Sequence, residues 1–460
     1  MKASFRELWW LNGSVDRGTY AVVGALAFAV KHNLDRIIAT YIFHRPWGMF
    51  NYWVPLSNAV RIMQLSHNDA IFLTTMLAIA LPFVWLGVAM TLKRLRGAGL
   101  PNSLVVLFFA PFLNLGFFLL LCVWPERGFT AMTRGASRLA AVIPSSTWGS
   151  AAFSFLFTIP FGLVSVLFAT RVLTTYGWSL FVALPFTLGM AAALVHGVHQ
   201  PRTLPACIAI ACLSNAILGL GLLALAWEGV ICLAMAAPIA IVLASFGGAC
   251  GYLIQRRRWR ETPIFASVLF AFVPGLQWFE HALATPCPVL VVRSVIEIQA
   301  PPEEVWRQVT SFSEIPPPTD FIFRVGVAYP IRAEILGNGP GAERHCVFST
   351  GQFVEPIEIW DEPHRLKFSV KSNPPPMQEW TPYSHVDPPH LHGFLVSSGG
   401  QFLLTPLPNG GTRLEGTTWY RHGLWPVPYW QLWSDAIIHR IHMRVLRHIR
   451  DESEHPASSK

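Results

Sequence analysis

Between Gly149 and Gln255 the chain carries only three charged residues, Arg171, Arg202 and Glu228, in more than a hundred positions. A water-soluble domain has about one charged residue in four, so this stretch is made for lipid. With no water there to satisfy backbone N–H and C=O groups, it must be helical. A hydrocarbon core of about 30 Å takes about 20 apolar residues per helix. Runs that meet this need are Thr19–Phe43, Ala70–Leu92, Ser103–Trp124, Ser150–Arg171, Trp178–Val198, Leu204–Trp227, Val230–Leu253 and Pro263–Phe279. The expectation is a multi-pass α-helical membrane domain over residues 1–285, with about seven to eight apolar segments.

The character changes near residue 285. Residues 1–285 hold 19 Lys and Arg against 8 Asp and Glu, a net of +11, whereas 286–460 hold 15 against 18, a net of −3. The basic balance therefore sits beside the apolar spans, where it suits the anionic face of a bilayer better than nucleic acid. No basic patch interleaved with aromatics argues for nucleic-acid binding. Seven cysteines are present; Cys122, Cys207, Cys212, Cys232 and Cys250 lie in apolar runs and only Cys287 and Cys346 outside them. Nothing there suggests a disulfide framework or a paired Cys-x-x-Cys site. No cleavable signal peptide is expected, and the first apolar run reads as an uncleaved anchor.

Several details of the membrane half bear on function. Lys31, His32, Asn33, Asp35 and Arg36 fall inside the first run. Charges at that depth are costly and often functional, although a Lys31–Asp35 pair one turn apart also explains them. Lys93, Arg94 and Arg96 read as a cytoplasmic loop, and so do Arg256, Arg257, Arg258 and Arg260. Five simple crossings between them would put the two loops on opposite sides, so one segment is expected to re-enter. Pro111 with Asn114, and Pro274-Gly275, mark the two candidate helical hairpins. Gly247, Gly248 and Gly251 permit close packing within the bundle. Gly13 with Arg17, Lys93-Arg94-Leu95 with Gly99, and Pro111 make residues 1–130 similar to a widespread bacterial inner-membrane family of unknown function. Ser14 and Arg96-Gly97 depart from its usual Arg and His-Asp. Residues 131–285 resemble no family.

The second half, 286–460, alternates as strands do. Strands are expected at Val289–Gln299, Arg324–Leu336, Glu343–Thr350, Gln352–Trp360, Arg365–Ser372, Gly400–Leu407 and Thr412–Tyr420. Pro301-Pro302-Glu303-Glu304 opens a short helix. Pro408-Asn409-Gly410-Gly411 reads as a hairpin turn, and Gly337-Asn338-Gly339-Pro340-Gly341 as a turn rather than a phosphate cradle. A long amphipathic helix begins near Pro428, with Trp430, Trp433, Ile437, Ile441, Val445 and Ile449 at helical spacing. A curved antiparallel sheet gripping that helix is the simplest way to bury its apolar face.

The segment order, with Ile298–Trp306, Gly339-x-Gly341-x-x-Arg344, Gly351, Glu355-Pro356-Ile357, Trp360-Asp361 and Gly410–Arg413, resembles the START-like superfamily of polyketide cyclases and lipid-transfer proteins (SRPBCC). The resemblance covers Val289 to about Glu454. It implies an α+β helix-grip domain with a central cavity for an apolar ligand, and leaves the activity open.

The leading expectation is a membrane-tethered module that binds or transfers a lipid, isoprenoid or aromatic metabolite. Trp419, Tyr420, Tyr429 and Trp430 are its cavity candidates, where the last strand meets the helix. The alternative is a cyclase or dehydratase, for which Glu379, His345 and Arg344 are the candidate acid–base groups; a third reading is a sensor coupled to the helices. Cys346 reads as core, with His345 and Arg344 expected toward the other face of the strand. The Pro-rich insertion Asn373–Gly393 holds His385, His390 and His392 near Glu379 and Asp387. That set could ligate zinc, but solvated loop histidines are the expected reading, with no metal and no cofactor. The insertion's Pro374-Pro375-Pro376-Met377, Trp380, Pro382, Tyr383 and Pro388-Pro389 could cover a cavity mouth or lie on the bilayer. Partners are expected to be the bilayer and an apolar small molecule, in a bacterial inner membrane with the second domain on the cytoplasmic side.

Overall fold

The apolar runs fold as helices. In the computed structural model, residues 9–45, 47, 52, 67–109, 113–124, 142–258, 262–282, 287–381 and 386–455 are described. The helices of the first half are α1 (Arg17–Ile37), α2 (His67–Ala98), α3 (Leu113–Val123), α4 (Thr147–Leu167), α5 (Leu184–His196), α6 (Leu204–Ala224), α7 (Val230–Arg258) and α8 (Thr262–Ala282). Among the described residues, five segments are long and apolar enough to cross a membrane: Ile71–Ala98, Thr147–Val172, Ser179–His196, Leu204–Ala224 and Val230–Arg256.

Two compact units form. One comprises Met1–Leu173, Gly177–Gly221 and Ala237–Ala282; the other comprises Thr174–Tyr176, Leu222–Ala236 and Leu283–Lys460. The second unit thus takes in the end of α6 and the start of α7 as well as the C-terminal chain.

Polar side chains in the first unit mostly finish helices. Arg94 is fully buried and donates from Nε to Leu121 O at 2.9 Å and to Trp124 O, where it satisfies carbonyls at the end of α3. Arg96 donates to Gly13 O at 2.9 Å. The Lys93–Arg96 stretch, expected as a loop, is therefore the end of α2, and its two arginines, Arg94 and Arg96, donate to backbone carbonyls. Lys31 pairs with the buried Asp35, which also accepts from Tyr52 Oη at 2.6 Å. The glycines of α7 allow backbone contact: a Cβ on Gly247 would lie 2.1 Å from Phe186 O, and one on Gly248 2.7 Å from Cys207 O.

The third apolar run does not form one helix. A 3₁₀ segment, Asn102–Phe109, precedes α3. At 1.5 Å per residue, the 11 residues of α3 span only about 16 Å. Pro111 itself lies outside the described residues. Pro274-Gly275, expected to turn a hairpin, lies instead inside the continuous helix α8. Proline's fixed φ is already helical, so it removes one hydrogen bond without forcing a reversal.

In the second unit, seven strands form one antiparallel sheet: β1 (Leu290–Ile298), β2 (Pro330–Leu336), β3 (Glu343–Phe348), β4 (Gly351–Asp361), β5 (Arg365–Ser369), β6 (Leu395–Pro406) and β7 (Thr412–His422). Their order is β1-β7-β6-β5-β4-β3-β2. Helices α9 (Pro302–Thr310) and α10 (Phe321–Arg324) follow β1, and α11 (Val427–Glu454) closes the chain. This is the helix-grip arrangement. Alternation along the strands and the apolar stripe of α11 share one core, in which Val305, Trp306, Leu366, Leu404, Leu414, Leu446 and Ile449 are at most 2% exposed. Gly337, Gly339 and Gly341 turn between β2 and β3 at φ of +91°, +80° and +91°, backbone that side chains rarely adopt.

One strand begins later than expected. Phe321–Arg324 is a short helix, and Gly326, at φ +123°, separates it from β2. Gly326 also lies against Gln378 O, where a Cβ would come within 2.1 Å. Beside it Val327 makes an isolated antiparallel bridge with Met377, so this stretch pairs with the insertion instead of extending β2.

Candidate functional site

Under α11 the sheet does not fill the space it encloses. A cavity of about 150 Å³ lies between the inner sheet face and Ile437, Ile438, Ile441, His442 and Val445 of the helix. Its walls are mostly apolar, with Phe348, Phe353, Phe368 and Phe402 among them. Glycines help to create the space, since Gly400 and Gly416 stand in the lining on the same face as Thr418 and Phe402, where side chains would otherwise project. Pro374, Pro375 and Pro376 of the insertion form part of the wall. The loop is pinned there: Thr350 Oγ1 donates to Pro375 O at 2.7 Å, and Ala328 N to Pro376 O at 3.0 Å. Asn373 continues the sheet edge, accepting from Ser397 N at 2.8 Å and donating to Ser397 O at 3.2 Å.

The titratable groups in this wall are Arg344, Cys346, Glu355 and His442. Arg344 on β3 lies opposite Glu355 on β4, and the two pair side by side while nearly fully buried. The Arg344 guanidinium carbon also lies 5.0 Å from the Phe368 ring centre and 5.6 Å from that of Phe402, close enough for cation–π attraction. Its Nε–H has no hydrogen-bond partner among the described residues. Burial raises the Glu355 carboxyl above its ordinary value while Arg344 pulls it down. Cys346, two residues along, is pushed up to about 12, again by burial first. His442 on α11 meets Thr418 Oγ1 through Nε2 at 2.7 Å and Ser294 Oγ through Nδ1 at 3.1 Å. Burial, with His439 nearby, lowers it to about 4, so it is neutral at pH 7.

The residues singled out from sequence are dispersed. Arg344 lines the cavity, on the same face as Cys346. It was expected on the opposite face, but residues two apart on a strand share a side, and only His345 alternates outward. His345 meets Gln352 through Nδ1 and lies 3.8 Å from Glu343. Trp419 packs with Lys367 Nζ at 6.0 Å from its ring centre. Tyr420 is fully buried among Leu290, Val292, Val427 and Ile438, and donates to Asp435 at 2.6 Å. Tyr429 donates to Met235 O, and Trp430 is buried in the first turn of α11. None of these five is among the cavity-lining residues.

Within the insertion, His392 and Asp387 make an exposed pair at 2.6 Å, whereas His385, Pro382 and Tyr383 fall outside the described residues. His390 is not solvated as expected, and Glu379, expected as an acid–base group in the cavity, is not among its lining residues: each is 6% exposed, because they pack against Glu228 and the backbone at the start of α7. Sequence reasoning missed Glu355, His442 and Gly416 as cavity residues. His442 carried a usable signal, since it stands between Ile438 and Val445 on the apolar stripe.

No known family profile and no curated protein matches the chain. Solved structures do resemble part of it. Norcoclaurine synthase from Thalictrum flavum, a point mutant in complex with a transition-state analogue, is 13% identical over 38% of this chain and 100% of its own, with a TM-score of 0.26. The Zhui aromatase/cyclase from Streptomyces sp. R1128 is 14% identical over 37% of this chain and 98% of its own, with a TM-score of 0.26. A protein from Nitrosospira multiformis is 18% identical over 35% of this chain and 95% of its own, with a TM-score of 0.22.

Proposed function

We propose that the second unit binds a small, largely apolar molecule in the cavity beneath α11, on a chain held in a membrane by its helices. The observation that carries this reading is the cavity itself: apolar walls around a buried guanidinium with one N–H unpaired. Ligand sites are mostly apolar with a few placed polar groups. A cavity of about 150 Å³ admits a benzene-sized molecule, which favours one aromatic ring or one isoprenoid unit over a whole diacyl lipid. Arg344 is already matched in charge by Glu355. A second anion would be buried without a counter-charge, so the fitting polar group is a neutral acceptor such as a ketone, quinone or phenol oxygen.

Binding is favoured over catalysis by the state of the polar groups. Glu355 is held by Arg344, and His442 is hydrogen-bonded at both ring nitrogens. Neither is a free base poised for proton transfer. On localisation, we place the second unit on the cytoplasmic side of a bacterial inner membrane. All seven cysteines are free, which supports a reducing compartment; an export-dependent reporter fused at Lys460 that proved active would reverse this assignment.

The test of binding is a titration of the full-length protein in detergent with toluene, acetophenone and benzoate, read by tryptophan fluorescence and thermal shift. A hydrogen bond from a charged donor contributes about 1.5–3 kcal/mol, so acetophenone is expected to bind about tenfold or more tighter than toluene. Benzoate is expected to bind more weakly than acetophenone. No response to any of the three would refute the reading.

A further inference from the structure

The insertion and the start of α7 meet in a second, separate cluster within the same unit. His390 Nδ1 lies 3.1 Å from Glu228 Oε2. The two atoms are not in hydrogen-bonding geometry, and neither has any hydrogen-bond partner among the described residues. Both side chains are more than nine-tenths buried. Cys232 Sγ completes a set in which one ligand atom from each residue lies within 4.8 Å of the others.

The atoms of these residues that are not in the set are held. Tyr176 Oη donates to Glu228 Oε1 at 2.9 Å, which leaves Oε2 as the outward oxygen. His390 Nε2 meets Glu379 Oε1 at 3.3 Å, which leaves Nδ1 as the ring nitrogen facing Glu228. Glu379 is itself anchored on the first turn of α7, accepting from Ile231 N at 3.1 Å and Cys232 N at 3.3 Å. Gly229 makes that seat possible, since a Cβ there would lie 2.0 Å from Glu379 Oε2. A carboxylate that fixes the tautomer of a ligating histidine through its second nitrogen is the usual support of a metal site.

We propose that Glu228, Cys232 and His390 bind a zinc ion, with Glu379 as the residue that positions His390. The donor set is one carboxylate oxygen, one thiolate sulfur and one imidazole nitrogen, which suits zinc among the common divalent ions. Bonds of about 2.0–2.3 Å in a tetrahedral site space the ligand atoms by roughly 3.3–3.8 Å. The observed separations, from 3.1 Å to at most 4.8 Å, bracket that range. Binding releases the thiol proton, and three protein ligands leave one position open. The ion would tie the Pro-rich insertion to the first turn of α7.

The test uses full-length protein purified in detergent without chelator or polyhistidine tag. Elemental analysis is expected to find about one zinc per chain, and removing it is expected to lower the melting temperature. Cobalt substitution is expected to give a thiolate-to-metal charge-transfer band in the wild type that is missing in Cys232→Ser. Cys232→Ser and His390→Gln are expected to lose most of the metal. Glu379→Gln is expected to keep the stoichiometry at saturating zinc but to bind about 10–100-fold more weakly. A wild-type protein that carries no metal and takes up neither zinc nor cobalt overturns the proposal, leaving the cluster a plain ion-pair network. A Cys232→Ser protein with its full metal content also overturns it. Should a variant fail to fold, the wild-type cobalt spectrum decides alone.

Discussion

Replacing Arg344 by Met removes the guanidinium that faces Glu355 across β3 and β4. Arg344 is 3% exposed and Glu355 6%, so the orphaned carboxylate is left poorly hydrated and without a counter-charge. Breaking a buried ion pair at one partner costs about 3–5 kcal/mol. For a unit of this size, each kcal/mol shifts the melting temperature by about 2–4 °C, so Arg344→Met is expected to melt roughly 6–20 °C below wild type. The double variant Arg344→Met/Glu355→Leu leaves no charge behind and fills the space with apolar atoms. Such replacements are neutral or stabilise by about 1–4 kcal/mol, so its melting temperature is expected to return to the wild-type value or exceed it. Folding is restored there, but the polar contact is gone, and acetophenone is expected to bind no better than toluene. Near-ultraviolet circular dichroism of the detergent-solubilised chain follows the melt, and the same samples serve for titration. The reasoning is refuted if the single variant loses under about 2 °C, or if the double variant melts as low as the single.

Gly416→Leu tests the cavity by occupation. The nearest atoms to a Cβ there belong to Leu446 and Phe402 at 3.6–3.9 Å, ordinary contact distances, so the fold is expected to survive while the larger side chain abolishes ligand-induced fluorescence change. Acid should weaken the second unit through His442. Its folded value of about 4 lies below its ordinary 6.5, so the stabilisation is complete above pH 6.5 and fades as pH falls toward 4. His442→Gln should flatten part of the slope between pH 6.5 and 4 in a series of melts. Gly247→Val in α7 puts atoms where Phe186 O already stands, and a cost of about 1–3 kcal/mol from overpacking is expected in thermal melts of the detergent-solubilised protein.

The sheet was legible because its chemistry is local. Alternation marked Leu290–Ile298 and Glu343–Phe348, and Gly410, at φ +84°, made the turn before β7 readable from its composition. The helix α10 was not legible, since four residues carry no period and Gly326 answers to the distant Gln378. The site was only partly so. Arg344 was visible as a candidate polar group on a strand, but its partner depends on the β3–β4 register, which places Glu355 opposite it. The aromatics at the β7–α11 junction had the right chemistry for a cavity, yet Tyr420 belongs to the neighbouring core cluster and Tyr429 is used by Met235. Glu228 and Cys232 sat in the apolar half and His390 in the insertion, and nothing along the chain links them; folding alone brings them together.

The most direct measurement is solvent extraction and mass spectrometry of the full-length protein purified from membranes, beside Gly416→Leu purified in the same way. The account predicts one small, mostly apolar, neutral compound enriched with the wild type at a fixed ratio to protein and absent from the variant. Bulk phospholipid alone, present equally in both preparations, together with no acetophenone binding by the wild type, would contradict it.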